Sequence, residues 1–215
     1  MKKILFILVL LATSSFIAQT NLYENPQFDE IAKNHTSIGI LPFNASVELR
    51  PKQREKMTAE EFMELEKSEG KSIQTAMYSW FLKRKKRGDL QTTEVQDPNK
   101  TIALLRKKNI TQENMKDYTP EELANILGVD AIISGTYKTN KPMSEGASVA
   151  LGLLIGFWGT TNSATVNISV HNASDGVLFW NYNKKVRGSI GSSSDDLINR
   201  LMRKTSRRLS YTKKK

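Results

Sequence analysis

The 215-residue chain contains no cysteine. This excludes disulfides, a thiol nucleophile and thiolate metal ligands, and it leaves no cysteine to carry a lipid anchor. Histidine is nearly as scarce. His35 falls at the start of a strand and His171 on the polar side of another, and neither has a helical histidine partner or a nearby carboxylate cluster. A metal site is not expected from that placement. Also missing are a glycine-flanked serine elbow, a phosphate-binding P-loop and a dinucleotide fingerprint. Glu60, Glu61, Glu64 and Glu66 read as a solvated first helical turn, and Asp130 as a turn or cap residue. The expectation is therefore a protein without catalytic residues, cofactor or metal.

Long apolar runs are absent too. Ile4 to Ala12 is apolar, follows the basic Met1-Lys2-Lys3 and precedes small residues from Thr13 to Ser15. It falls short of the roughly 20 residues of a membrane span. The pattern is that of a secretory signal peptide over residues 1–18, cut after Ala18 or after Ser15. Acidic residues are the minority, 22 against 32 Lys and Arg, and the net charge of +10 includes Lys2 and Lys3. Export argues against nucleic acid as the target of that charge. Anionic lipid or envelope polymers suit it better, and solubility alone is the plainest explanation.

Beyond the leader the chain reads as one domain. Residues 19–36 form an N-terminal segment with a weak helical pattern around Phe28 and Ile31. Residues 37–211 form an α/β domain, and 212–215 a basic tail. Ser37 to Phe43 is short, apolar and ended by Pro42, as suits a buried strand. Ser46 to Arg50 extends that strand or begins a loop. Thr58-Ala59-Glu60-Glu61 is a capping box that opens a helix to about Arg87, with Gly70 as a weak point and Ile73, Met77, Trp80 and Phe81 on one face. Lys83 to Arg87 suit the helix C-terminus. Leu90 to Val95 reads as a strand, and Asp97-Pro98 starts a helix with Ile102 and Leu105 inward.

Thr119-Pro120-Glu121-Glu122 is a second capping box, and Gly128 a left-handed stop. The run Val129 to Ile133 then reads as a strand covered on both faces. Ala164, Val166, Ile168 and Val170 alternate with Thr165, Asn167, Ser169 and His171. Leu178, Trp180 and Tyr182 alternate after the turn at Asp175-Gly176, so an antiparallel hairpin is expected. A last helix, capped by Ser193, has Leu197, Ile198, Leu201, Met202 and Leu209 on one face. Arg200, Arg203, Lys204, Arg207 and Arg208 make the opposite, basic face. The expected fold is a single layered α/β domain: a mixed sheet of about five strands, with a C-terminal antiparallel hairpin and flanking helices.

An apolar, glycine-rich insert spans 144–159. Ser148, Gly152 and Gly156 recur every fourth residue, a stripe that permits close helix contact. Its partner- or membrane-contact candidates are Gly152, Leu153, Leu154, Gly156, Phe157 and Trp158. Packing of the insert on its own sheet is the alternative.

Three patches, Ile38-Gly-Ile-Leu-Pro-Phe43, Leu127-Gly-Val-Asp-Ala-Ile-Ile-Ser-Gly-Thr136 and Asp175-Gly-Val-Leu-Phe-Trp180, resemble an envelope domain. It is shared by the curli-secretion protein CsgG, the penicillin-binding-protein activator LpoB and the N-terminal part of TolB. The order of elements agrees from about Ile38 to Tyr211. The resemblance implies a mixed sheet with helices on its faces, and binding rather than catalysis. It implies envelope proteins as partners, of the peptidoglycan-synthesis or secretion machinery, with no nucleic acid. The expected location is the periplasm, peripheral to the outer membrane, without a lipid anchor of its own. Members are often lipoproteins, and the absent cysteine is a departure. Two alternatives stand beside this reading: a membrane-associated oligomer in an export or assembly complex, and an enzyme acting on cell-wall polymer.

Overall fold

The computed structural model describes residues 20–90, 94–140, 161–190, 194–209 and 211–212. Seven strands form one mixed sheet: β1 (Thr20–Glu24), β2 (Ser37–Ile40), β3 (Asn44–Val47), β4 (Glu94–Val95), β5 (Ala131–Thr139), β6 (Thr161–Asn172) and β7 (Leu178–Ile190). Their order is β1-β7-β6-β5-β2-β4, and β3 also lies against β5. The helices are α1 (Phe28–Ala32), α2 (Pro51–Arg54), α3 (Ala59–Lys86), α4 (Pro98–Lys107), α5 (Pro120–Leu127) and α6 (Ser194–Ser206).

The expected α/β domain with its C-terminal hairpin is what forms, with seven strands in place of about five. One added strand is β1. Residues 21–24 carry no helical pattern and pair antiparallel with β7, from Thr20 opposite Lys184 to Glu24 opposite Trp180. The segment thus begins as an edge strand, and only Phe28–Ala32 is helical. The other addition is β3. It continues the line of β2 along β5 after a break at Pro42, with Ile40 opposite Ile133 and Asn44 opposite Thr136. Of the described residues between Leu90 and Val95, Glu94–Val95 pair as a strand, parallel to β2, and Leu90 bridges Thr212.

The long central strand β5 organises the layers, because its alternate side chains face different covers. Ala131, Ile133 and Tyr137 face the main core, where they meet Ile73, Met77 and Phe81 of α3 and Leu201 and Met202 of α6. Ile132 faces the other way, into a smaller core with Leu105 of α4 and Leu123 and Leu127 of α5. On α4 the buried positions are Pro98, Thr101 and Leu105, while Ile102 is only half-buried. Thr101 is drawn inward because its hydroxyl donates to Gln96 Oε1 at 2.8 Å.

Gly70 does not weaken α3, which runs through it unbroken. A Cβ there would collide with the Phe43 carbonyl. Glycine is what lets the helix lie directly on the chain between β2 and β3, at a modest cost in helix propensity. Gln74 Nε2 donates to the Ile40 carbonyl at 2.6 Å and Gln112 Nε2 to the Phe43 carbonyl at 2.8 Å, so this break in the strand line keeps its hydrogen bonds.

The helix ends obey local rules. Thr58 and Glu61 close one capping box and Thr119 and Glu122 the other, each with both reciprocal bonds. Gly128 takes φ +65°, the left-handed stop expected of it.

Candidate functional site

The surface carries three candidate features: a cleft on the sheet, a second cleft at the end of the hairpin, and the basic side of α6.

The first cleft, of about 360 Å³, lies on the sheet face that α5 leaves uncovered. Beyond Ile132, the β5 residues on this face are Ser134, Thr136 and Lys138. Register extends the row through neighbouring strands. Ser134 is opposite Ser169, which is opposite Asn181, which is opposite Tyr23. Thr136, Asn167, Asn183 and Asn21 make the next row. Asn181 Nδ2 donates to Asn167 Oδ1 at 2.7 Å and to Ser169 Oγ at 2.9 Å, tying the two rows together. Met115, Tyr118 and Leu123 form the wall, and Pro42 and Asn44 close one end.

The second cleft, of about 500 Å³, lies among the end of α1, the end of α5 and the hairpin turn, with His35, Asp130 and Asn172 in its lining. His35 Nδ1 is 2.6 Å from the Tyr211 hydroxyl, and Nε2 is 3.2 Å from Asn172 Oδ1. Asn172 Nδ2 donates to Ser174 Oγ and Asp175 Oδ1, at 2.7 and 2.9 Å. The Asp175 carboxylate only accepts, which fixes the Asn172 amide with its oxygen toward His35. His35 Nε2 therefore donates, and in the neutral imidazole Nδ1 accepts from Tyr211. The imidazole is neutral in this arrangement. Burial lowers its pKa from the ordinary value, and the Asp130 charge and the Asn172 bond oppose that only in part. Burial pushes the Tyr211 phenol far above its usual range.

Asp130 behaves as the cap residue expected from sequence. Its Oδ2 accepts from the Thr36 and Ser37 amides at 2.8 and 2.9 Å and from both hydroxyls. Burial pushes its carboxyl up, and these donors outweigh burial and hold it below the usual value. His35 and Asp130 thus act as structural clamps, joining the start of β2, the hairpin turn and the C-terminal residues. Tyr211 and Asn172 are partners that sequence reading missed. Nothing local signals them, since His35 and Tyr211 stand 176 residues apart.

The third feature is α6 together with the turn after it. Ile198, Leu201 and Met202 are buried, while Arg200, Arg203 and Lys204 are exposed. The helix stops at Ser206, so Arg207, Arg208 and Leu209 lie in the subsequent turn and not on the helix as expected. Leu209 still reaches the core, and both arginines remain outside. Beside them, burial lowers the Lys184 ammonium pKa, and the charges of Lys204 and Arg208 lower it further.

The insert residues Gly152, Leu153, Leu154, Gly156, Phe157 and Trp158 lie outside the described residues, as do Ser193 and the end of the basic tail. Among the described residues no helix is long and apolar enough to cross a membrane, and no three His, Asp or Glu side chains converge as a metal site would need.

No protein-family model matches the chain, and no curated protein matches it. Solved structures do. The chain is similar to the lipoprotein GNA1162 from Neisseria meningitidis at 13% identity and TM-score 0.46, over 79% of this chain and 94% of that one. It is similar to the PelC dodecamer from Paraburkholderia phytofirmans at 9% identity and TM-score 0.48, over 91% and 99% of the two chains. It is also similar to the hypothetical protein CT253 from Chlamydia trachomatis at 13% identity and TM-score 0.38, over 81% and 95%. These are distant likenesses of overall shape.

Proposed function

We propose that this chain is an exported, non-enzymatic cell-envelope protein that acts by contact with other envelope proteins. In kind it is a penicillin-binding-protein activator or a secretion component, which the resemblance of its three patches to that envelope domain supports. The observation that carries the contact reading is the division of α6. Its apolar side is sealed into the core, so the helix is held firmly, and Arg200, Arg203 and Lys204 are presented together with Arg207 and Arg208. Gathering like charges costs stability by self-repulsion and steers an acidic partner toward the face. The polar groups with perturbed titration near the second cleft serve the fold, which suits a binding protein better than a hydrolase.

The test is crosslinking in intact cells, comparing the natural chain with a variant carrying Arg200→Glu, Arg203→Glu and Lys204→Glu. Fractionation and sequencing of the mature N-terminus come first, and a chain retained in the cytoplasm would end the reading. The exported variant should lose the adducts that the natural chain forms with envelope proteins. Identical adducts would assign the basic face to solubility alone. A mass in light scattering that is ring-sized or changes with mild detergent would favour the membrane-associated oligomer, with 144–159 as its interface.

A further inference from the structure

We propose that the cleft over β5, β6 and β7 binds a segment of a neutral glycan. The first support is the hydrogen-bonding character of its floor. Ser134, Ser169 and Asn181 in one row and Thr136 and Asn167 in the next carry hydroxyls and side-chain amides, with no carboxylate and no cation among them. Each such side chain offers both a donor and an acceptor. A sugar hydroxyl also does both, whereas phosphate or carboxylate ligands need donors with positive charge. The lining carries one formal charge, on the exposed Lys116 beside the wall residue Met115, and Lys138 and Lys185 stand one row beyond the floor.

The second support is preorganisation. Both Asn181 Nδ2 protons are committed to Asn167 Oδ1 and Ser169 Oγ. That clamp sets the orientation of both amides. Asn167 Nδ2 and Asn181 Oδ1 take no part in it, so one amide keeps its donors and the other its acceptor for a ligand. Side chains on paired strands hold such an array with little entropy left to lose.

The third support is shape. The wall is Tyr118 and Met115, and Leu123 and Ile132 add an apolar patch. A sugar ring has the matching duality, a C–H face that lies on an aromatic or aliphatic surface and a polar rim. About 360 Å³ falls within the range of small-ligand sites. With strands roughly 4.8 Å apart, the rows run on for about 14 Å from β5 to β1. There Tyr23, 48% exposed, offers a second ring on the same face. This length suits a chain of sugars better than a single one. An extended peptide would seek a free strand edge, and the backbones of β6 and β7 are already paired on both sides here, as is that of β5 except at Ser134 and Gly135, where β2 gives way to β3.

The inference stands on the cleft alone and does not depend on export or on the α6 contact. It is tested by titrating the purified, isotope-labelled full chain with chitotetraose, and separately with cellotetraose, followed by NMR. The side-chain amide signals of Asn167 and Asn181 should shift saturably with at least one of the two sugars, at millimolar strength. Tyr118→Ala and Thr136→Val should each weaken binding about fivefold, as expected for one lost stacking or hydrogen-bonding contact. Thr136 is exposed, so its variant keeps the fold even if Tyr118→Ala does not. Three results would overturn the proposal: no saturable shift with either sugar at about 20 mM, well above a millimolar Kd; shifts centred on His35 and Asn125; or displacement of the sugar by an uncharged Ser/Asn peptide that binds more tightly.

Discussion

The His35 imidazole and the Tyr211 hydroxyl, near opposite ends of the chain, meet at 2.6 Å through Nδ1. Phe179 stacks on the His35 ring at 6.0 Å, and Phe28 meets Tyr211 edge-on at 5.2 Å. This polar pair inside an aromatic cluster is one of the contacts that tie the C-terminal residues to the fold, beside the buried Leu209 and the Leu90–Thr212 bridge. Tyr211→Phe removes the donor and leaves Nδ1 buried and unpaired. The expected loss is about 1–3 kcal/mol, read from urea unfolding. No change in midpoint would mean that water replaces the phenol.

The same pair sets a pH dependence. The folded state holds His35 neutral and its pKa below 6.5, chiefly through burial. Burial lowers the His171 pKa as well, and its Nδ1 has no partner. An unfolded chain binds these protons more readily, so the contribution is fully present above pH 6.5 and is lost as pH falls through the folded values. Asp130 acts lower on the scale, because its carboxyl is held below 3.8. Its contribution is complete above 3.8 and disappears as pH drops through the folded value. Thermal melts in low salt should show a first decline below pH 6.5 and a second below about 4. His35→Gln should shallow the first and leave the second intact.

Replacement of Gly70 tests the close approach of α3 to the strand break. Ala is the better helix former, so an exposed Gly→Ala change would stabilise α3. Here the new methyl meets the Phe43 carbonyl, and a loss of about 2–3 kcal/mol is expected instead. Gly135→Ala should behave alike, since its Cβ would strike the Asn167 carbonyl and the Phe43 ring. A gain in melting temperature at either site would refute the contact.

At the start of α5, Thr119 Oγ1 accepts from the Glu122 amide at 3.1 Å, and Glu122 Oε2 accepts from the Thr119 amide at 2.7 Å. Thr119→Ala should cost about 1 kcal/mol. Because α5 walls the proposed glycan cleft, hydrogen exchange in residues 120–127 should quicken in the same variant. Unchanged exchange would show that tertiary packing alone holds the helix.

Local signals in the sequence determined much of this protein. The capping boxes at Thr58 and Thr119, the stop at Gly128, the alternation from Ala164 to Val170 and the Asp175-Gly176 turn each depend on neighbours within a few residues, and each formed as expected. The division of α6 into an apolar and a basic side was legible for the same reason, since helical periodicity shows on a single helix. Only the tertiary structure decided the rest. Residues 21–24 became a strand because β7 offered an unpaired edge, and Gly70 was kept in a helix by a carbonyl from another element. His35 acquired its partners from the far end of the chain. The polar sides of β5, β6 and β7 are ordinary solvent faces when read one strand at a time. Register and an α5 that leaves this face open beyond Ile132 bring them together as one neutral surface, because strand pairing acts between residues that the sequence keeps far apart.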